Sequence, residues 1–598
     1  MNIFVAAFIK NTELTPVYEQ LLPGISAVTV PFLKENHERV IFKDNNIIAA
    51  SFSIHASHCP IKRYTEHQGN SFCTFNGIPL FQNNHAESWA NALLGGLRNG
   101  TLLPENIGGY YNLLYINEGK IEAFNCLTRV EPVYFLENRY CIVVGNRASL
   151  VWGLGNRSIN FDYDEDALLT FATAGWLVND LTPYKGVKLL PNGHKIAISA
   201  SDFRISPYKP YYFYETNDES YLEGLIDPIQ EELVSGIKLF SKFKDKISVN
   251  LSGGKDSRIL AAACHKAGIR YSCITSGGEL FPDMVVAKEV VQLLDCPEHI
   301  TSARDSNNIA PEIDIFKKVD HHIQVGEGML SINDPTYEIR QKPAFLLSGH
   351  GGELLRGGYD RSLDRPRVGN LEAAKKFLKD LTLHNASLFL KEEAIQSQLA
   401  YNESIMEKFL NSGFPFINFY DWMYTVYRET RGIGSIRQGS SFGAFSFSPF
   451  LNDNLLKLAW HFPLEFRKEE HLYFQLLKNI NPQLAYHRFA DSRWKFEMHA
   501  PSSGQSMQEW EKRAPLPPGP VNHSAHNWRS GYDGYLRTVI RDYLLQNANN
   551  SMFKLVDYGK LEKILNAEPP TNNSVIKSIL GLFTAVYLTN NTWIKVDS

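Results

Sequence analysis

No C-x-x-C pair occurs among the seven cysteines of this 598-residue chain, Cys59, Cys73, Cys126, Cys141, Cys264, Cys273 and Cys296, which argues against a zinc ribbon or a thioredoxin-like centre. Their odd number and irregular spacing in a large chain point to a reduced, cytoplasmic setting. Charge of neither sign prevails: 60 basic against 64 acidic residues give a net charge of −4. There is thus no electrostatic footprint for nucleic acid or for an anionic membrane, and neither is expected as a partner. No apolar run approaches membrane-spanning length. The opening segment, Met1-Asn2-Ile3-Phe4-Val5-Ala6-Ala7-Phe8-Ile9-Lys10, lacks a basic n-region and a cleavage signal and reads as a buried first strand. Internal repeats are absent. The one biased stretch, Ala514-Pro515-Leu516-Pro517-Pro518-Gly519-Pro520, reads as a surface loop.

What remains has an ordinary globular balance, 44% hydrophobic and 21% charged, at a length that implies more than one domain. Residues 1–210 are rich in short strand patterns, among them Val40–Phe42, Ile47–Ala50, Tyr111–Ile116, Val133–Phe135 and Cys141–Val144. Asn76-Gly77 and Glu118-Gly119 read as turns between them, and helical patterns fall near Glu87–Leu97 and at Glu165–Thr173. A layered α+β domain is expected. The proline and polar residues of 208–218 mark a boundary. From 211 to 598 a different pattern holds: helix (Tyr221–Phe240), strand (Ile247–Leu251), glycine loop, helix (Arg258–Ala267), strand (Tyr271–Thr275) and helix (Met284–Leu294). That alternation predicts a doubly wound parallel sheet, and beyond about residue 370 the chain reads as mostly helical.

The glycine loop is Ser252-Gly253-Gly254-Lys255-Asp256-Ser257, following the strand that ends in Leu251. Gly253 and Gly254 let the backbone approach an anion, and the N–H groups opening the next helix point at it. Ser252 and Ser257 add hydroxyls. Asp256 would repel a bare phosphate, which suggests a bridging Mg²⁺. The loop is not a Walker A motif, because Val249 stands where that motif needs its first glycine and Ser257 does not directly follow Lys255. A second glycine-rich turn follows an apolar run at 346–359, Leu-Leu-Ser-Gly-His-Gly-Gly-Glu-Leu-Leu-Arg-Gly-Gly-Tyr, and reads as a strand end where ligands gather in open α/β sheets.

S-G-G-x-D-S resembles the signature of the PP-loop ATP pyrophosphatases, which include asparagine, GMP and NAD synthetases and tRNA-thiolating enzymes. The 346–359 segment is similar to the L-S-G-E-G-S-D-E-x-x-G-G-Y segment of asparagine synthetases, so the resemblance is to the asparagine synthetase superfamily. It implies cleavage of ATP to AMP and pyrophosphate. It implies that Leu251, Ser252, Gly253, Gly254, Asp256, Ser257, Ser276, Ser348 and Gly349 contact the nucleotide, and that Asp256 and Glu353 together hold Mg²⁺. His350 departs from the pattern: asparagine synthetases carry Glu there, and β-lactam synthetases carry Tyr paired with a Glu. Histidine is a competent general base near neutral pH, although a loop histidine is otherwise often just hydrogen-bonded. Glu429 is chosen as its partner, against the commoner fate of a solvated helix charge. The same resemblance places Lys495, in Arg493-Trp494-Lys495-Phe496-Glu497, over the α-phosphate, against a plain surface lysine. Ser276 is assigned to adenine through its main chain, against a plain strand-ending turn. Ser448-Pro449-Phe450-Leu451-Asn452 is similar to the family's V-P-F-L-D, with Asn for Asp.

The first 200 residues faintly resemble the N-terminal nucleophile glutaminase domain of that superfamily. Phe75-Asn76-Gly77, Gly108–Asn112, Glu131–Tyr134, Asn146–Leu150 and Leu190–His194 follow the expected order. The chemistry needs a cysteine directly after the initiator methionine, and Asn2 stands there; Ile78 replaces the acid of N-G-E, and the earliest cysteine is Cys59. No glutamine hydrolysis is expected, and the domain reads as a structural or docking remnant.

The expectation is an α/β chain in which an N-terminal-nucleophile-like domain precedes a PP-loop synthetase domain. It uses ATP and Mg²⁺ to adenylate a small-molecule or peptide carboxylate and couples it to an amine. A β-lactam synthetase or lasso-peptide cyclase type of reaction in natural-product biosynthesis is favoured. An ammonia-dependent asparagine synthetase and a non-catalytic scaffold stand as alternatives, and the oligomeric state is open.

Overall fold

The structure of this chain is a computed structural model. It describes all residues except 32, 34–36, 55–60, 62, 82–88, 211–214, 243–245, 303–312, 334–344, 362–367, 385, 442–444, 502–504, 519–531, 568–572 and 595–598. Cys59, Glu87 and the end of the proline-rich stretch therefore lie outside the described residues. The strands of the first half are β1 (Asn2–Ile9), β2 (His37–Asp44), β3 (Ile47–Ile54), β4 (Thr65–Gln68), β5 (Ser71–Leu80), β6 (Gly108–Asn117), β7 (Lys120–Asn125), β8 (Tyr134–Glu137), β9 (Cys141–Gly145), β10 (Lys188–Leu189), β11 (His194–Ile198) and β12 (Phe203–Pro207). They form two antiparallel sheets, ordered β10-β8-β9-β1-β3-β2 and β12-β11-β7-β6-β5-β4.

The unbroken apolar run of β1 has a simple cause. Ile3, Val5, Ala7 and Ile9 pack with Tyr18, Leu22 and Ile25 of helix α1 (Thr15–Thr29), while Phe4, Ala6 and Phe8 pack with Phe72, Leu114 and Ile116 of the other sheet. A strand buried on both faces needs no polar alternation. Helix α2 (Trp89–Arg98) covers the far side of the second sheet, with Trp89 and Leu93 against Phe75 and Leu113. Helices α3 (Ala148–Asn156) and α4 (Glu165–Thr173) join α1 on the outside of the first. The result is a helix–sheet–sheet–helix stack. Glu118-Gly119 makes the two-residue hairpin turn between β6 and β7, both residues with positive φ (50° and 72°). Asn76-Gly77 is not a turn. It lies inside β5 opposite Asn112 and Tyr111, and Gly77 is required there both by its φ of 84° and because a Cβ would meet the Tyr110 carbonyl and Glu131.

The second half begins with α5 (Glu219–Ser241), capped by Asp218, and builds a parallel sheet from β13 (Ile247–Asn250), β14 (Tyr271–Ser276), β15 (His299–Ser302), β16 (Phe345–Leu347) and β17 (Phe445–Phe447). Helices α6 (Lys255–Ala267) and α7 (Pro282–Leu293) connect the first three strands. The order β15-β14-β13-β16-β17 runs outward from β13 in both directions, so the chain switches sides between β13 and β16. In open α/β sheets such a switch point is where ligands bind. Beyond 370 the described residues are mostly helical, with one strand, β17, whose three residues Phe445-Ser446-Phe447 extend the sheet by pairing with Phe345–Leu347. One correction follows. Helix α6 starts at Lys255 rather than Arg258, with Gly254 as its cap, so Lys255, Asp256 and Ser257 form its first turn.

Packing crosses the proposed boundary at residue 210. Lys209 pairs with Asp453 at 2.8 Å with both side chains wholly buried, Asn452 accepts the Gly109 N–H at 2.7 Å, and Arg129 bonds Asp180 and the Val426 carbonyl. The asparagine that replaces Asp in the V-P-F-L-D-like segment thus ties the two halves together and caps the helix Asp453–Ala459.

Candidate active site

The carboxyl ends of β13, β14, β16 and β17 share one edge of the parallel sheet, and every sequence-predicted site residue except Glu429 and Lys495 sits on or just beyond one of them. After β13, the Leu251 carbonyl accepts the Thr275 hydroxyl at 3.0 Å. Ser257 Oγ accepts the Ser252 N–H at 3.0 Å, and Ser252 Oγ accepts the Gly254 N–H at 3.2 Å. The two serines therefore shape the loop from inside. Gly253 donates its N–H to Asp283 of α7 at 2.8 Å, and a Cβ at Gly253 would strike Ala490. No side chain caps α6, so its first N–H groups face the space above the loop.

After β16, Ser348 donates its N–H to the Phe447 carbonyl at 2.9 Å, and Ser348 Oγ receives the His350 N–H at 3.4 Å. Gly349 and Gly352 lie directly on Asp256. A Cβ at Gly349 would come within 2.9 Å of Asp256 Cβ, and one at Gly352 would overlap the Asp256 carboxylate and stand 2.5 Å from the Tyr473 hydroxyl. The two glycine-rich segments thus meet at the switch point. Ser276 ends β14, exposed, with its Oγ 2.7 Å from that of Ser302, beside the same edge.

His350 is reachable by solvent but set among protein groups. Burial and the nearby Arg437 hold its pKa below the ordinary value against the opposing pull of Glu353, so it is neutral at pH 7 and free to accept a proton. Glu429 lies on a π-helical segment, Tyr424–Ile433, a geometry frequent at functional sites. It is 0% exposed, and neither carboxylate oxygen has a partner among the described residues. The alternative of a solvated, paired helix charge does not hold. Burial, with Glu353 nearby, pushes its pKa up to about 8 against the pull of Arg428 and Arg437, so it carries a proton at neutral pH. Lys495 is half-buried, and its backbone N–H donates to Glu470 Oε2 at 3.1 Å.

Glu470, with Arg356 and Tyr473, was not legible as part of the site. Lys255 is buried and pairs with Glu470 at 2.5 Å while donating to the Arg493 carbonyl. Arg356 reaches both Asp256 oxygens, at 2.8 and 3.0 Å, and Glu470 at 3.4 Å. The Tyr473 hydroxyl is 2.8 Å from Asp256 Oδ1. Charges alternate along Lys255, Glu470, Arg356 and Asp256, so each buried ion has an opposite neighbour. Asp256 is thereby committed, and its pKa is raised, chiefly by burial, with Arg356 pulling against it. Among the described residues no group of three or more His, Cys, Asp or Glu is arranged to hold a metal ion. The expected Asp256–Glu353 metal pair does not fit this arrangement, because a guanidinium already spans the Asp256 carboxylate.

A second network backs the site from the N-terminal half. Asn2 is fully buried; its Nδ2 bonds Thr74 Oγ1 and the Phe75 carbonyl, its Oδ1 accepts from Ser51 and Ser53, and its N–H donates to Asn76 Oδ1. Asn76 bonds Glu131 at 2.7 Å, and burial raises the Glu131 pKa to about 7. Arg437 lies 3.9 Å from Glu131 and donates to Ser448 Oγ, Tyr110 and the Ser446 carbonyl. Asn2 is therefore linked through Asn76, Glu131 and Arg437 to Ser448, just beyond β17. Asn2→Ala strands these polar groups and is expected to cost roughly 2–3 kcal/mol of stability, read by urea denaturation.

Residues 232–420 match the family model for asparagine synthase, which takes in both glycine-rich segments and leaves Glu429, Arg437, Glu470 and Lys495 beyond it. No curated protein sequence matches the chain. Solved structures also match, two of them with the following weak likeness. One is described as the allosteric regulatory enzyme of purine biosynthesis (8% identity, 51% of this chain and 80% of that one, TM-score 0.20). The other is glutamine phosphoribosylpyrophosphate amidotransferase from B. subtilis, complexed with ADP and GMP (9% identity, 60% and 77%, TM-score 0.22). Likeness of that size does not bear on what this chain does.

Proposed function

We propose that this chain is an ATP-dependent, AMP-forming amide synthetase. The observation that carries the reading is the meeting of two glycine-rich segments, 252–257 and 348–353, on Asp256 at the switch point of a parallel sheet, inside the stretch that matches asparagine synthase. The free N–H groups opening α6 hold the leaving pyrophosphate of ATP. A substrate carboxylate attacks the α-phosphorus, and the bond to pyrophosphate breaks. An amine then attacks the acyl-adenylate, AMP leaves with the bonding pair, and the amine proton passes to His350, which is neutral in the resting site. Lys495 stabilises the charge on the α-phosphate. Glu429 is a buried acid that carries its proton in the resting site; once that proton is lost to solvent, the carboxylate accepts one from an incoming ammonium group and leaves the neutral amine as nucleophile. The substrates are a small-molecule or peptide carboxylate and an amine, intramolecular or separate, as in natural-product biosynthesis.

His350→Ala separates the two half-reactions. ATP–pyrophosphate exchange with a pool of candidate carboxylates is expected to persist, while amide formation falls by about 100-fold. Equal loss of both would remove His350 from the second step.

A further inference from the structure

Arg356 occupies a place that the two-carboxylate arrangement would otherwise leave for a metal ion. Its guanidinium reaches both oxygens of Asp256, at 2.8 and 3.0 Å, and Glu470 at 3.4 Å, and lies over the Tyr473 ring at 5.0 Å. Tyr473 fixes the carboxylate from another side through its hydroxyl, 2.8 Å from Oδ1 and 3.0 Å from the Gly352 carbonyl. Arg356 is only 11% exposed, so its charge is held by protein groups rather than by water. Burial works against that charge, but Asp256, Tyr473, Glu470 and Glu353 act together to keep it well above the ordinary arginine range. Glu353 therefore also lies in the field of this cation. A divalent ion bound to Asp256 needs close oxygen ligands in near-octahedral geometry, and a guanidinium across both oxygens excludes it.

We propose that Arg356 is a resident cation of the phosphate site, a positioning residue that orients and neutralises Asp256 in place of a divalent ion. It follows that the protein does not gather a divalent cation at Asp256 and Glu353 by itself. This refines the synthetase reading and rests on it for its purpose, though not for its test. Arginine suits the task because its charge is permanent and its planar fork matches a carboxylate.

The test is Mn²⁺ titration of the full-length protein without nucleotide, with free Mn²⁺ followed by electron paramagnetic resonance. Arg356→Met is expected to gain one Mn²⁺ site at least tenfold tighter than any in the unaltered protein. Arg356→Lys should gain none, and adding Asp256→Asn to Arg356→Met should abolish the gain. If Arg356→Met does not melt cooperatively, Arg356→Gln, which keeps hydrogen-bonding groups and loses the charge, is read in its place. The proposal is overturned if the charge-removing variant gains no site, if the gain survives Asp256→Asn, or if the unaltered protein already binds one Mn²⁺ that Asp256→Asn removes. ATP binding to the unaltered protein is measured in parallel; its absence would sink the synthetase reading and leave the Mn²⁺ comparison standing.

Discussion

Gly352→Ala is expected to lower ATP–pyrophosphate exchange by at least about 10³-fold, equivalent to roughly 4 kcal/mol in the transition state. The added methyl would overlap the Asp256 carboxylate and stand 2.5 Å from the Tyr473 hydroxyl. Neither neighbour has room to yield, because Asp256 is held by Arg356 and Tyr473 is fully buried in the core. Relief must come from the 348–353 segment, which would carry Ser348, Gly349 and His350 away from the 252–257 loop. A misplacement of about 1 Å costs some 10²-fold even when it starts far from the chemistry, and here it starts at the site. Gly254→Ala is the contrast: its methyl would meet only Ser252 Oγ, at 3.2 Å, so folding stability should hardly change. More than a tenth of the original exchange activity in Gly352→Ala would mean that the two loops do not close on Asp256.

Glu429→Gln should flatten the dependence of stability on pH. Burial pushes the Glu429 carboxyl up to about 8 in the folded protein, against the ordinary 4.5 of a glutamate in the unfolded chain. Between those limits the folded state binds more protons than the unfolded one, so stability present below pH 4.5 is lost as pH rises through 8. The unaltered protein should lose roughly 4 kcal/mol more than the glutamine variant between pH 5 and pH 9. Glu131, raised to about 7 by burial, adds a slope common to both proteins. Urea denaturation at pH 5, 7 and 9 gives the comparison, and parallel curves for the two proteins would contradict a buried, protonated Glu429.

The sequence made the scaffold legible where local rules suffice. Glu165–Thr173 was predicted to the residue, and α5, β13, β14 and α7 within two or three residues, because each carries its own period or turn chemistry. Asn76-Gly77 misled because a dipeptide that ordinarily makes a turn here serves a close approach to Tyr110 and Glu131 within a strand. β17 was missed because three residues are too few to show alternation, and its pairing with β16 is a long-range fact. Within the site, both glycine-rich segments were readable from their place after apolar strands. Arg356, Glu470 and Tyr473 were not. Arg356 falls at an unconstrained position of the motif, and the other two belong to the helix His471–Ile480 and its cap, more than 200 residues after Lys255. The buried state of Glu429 depends on tertiary packing around a π-helix, which leaves no local signature. Only the charge balance of the finished network explains why a lysine and an arginine are buried beside the 252–257 loop.

The central claim is that a carboxylate is activated at the α-phosphorus of ATP. Its most direct test is to incubate the protein with ATP and a pool of ¹⁸O-carboxylates and examine the nucleotide products by mass spectrometry. AMP carrying one ¹⁸O, with pyrophosphate unlabelled, is the expected result. Formation of ADP with ¹⁸O in inorganic phosphate, or no nucleotide turnover with any acid, would contradict it.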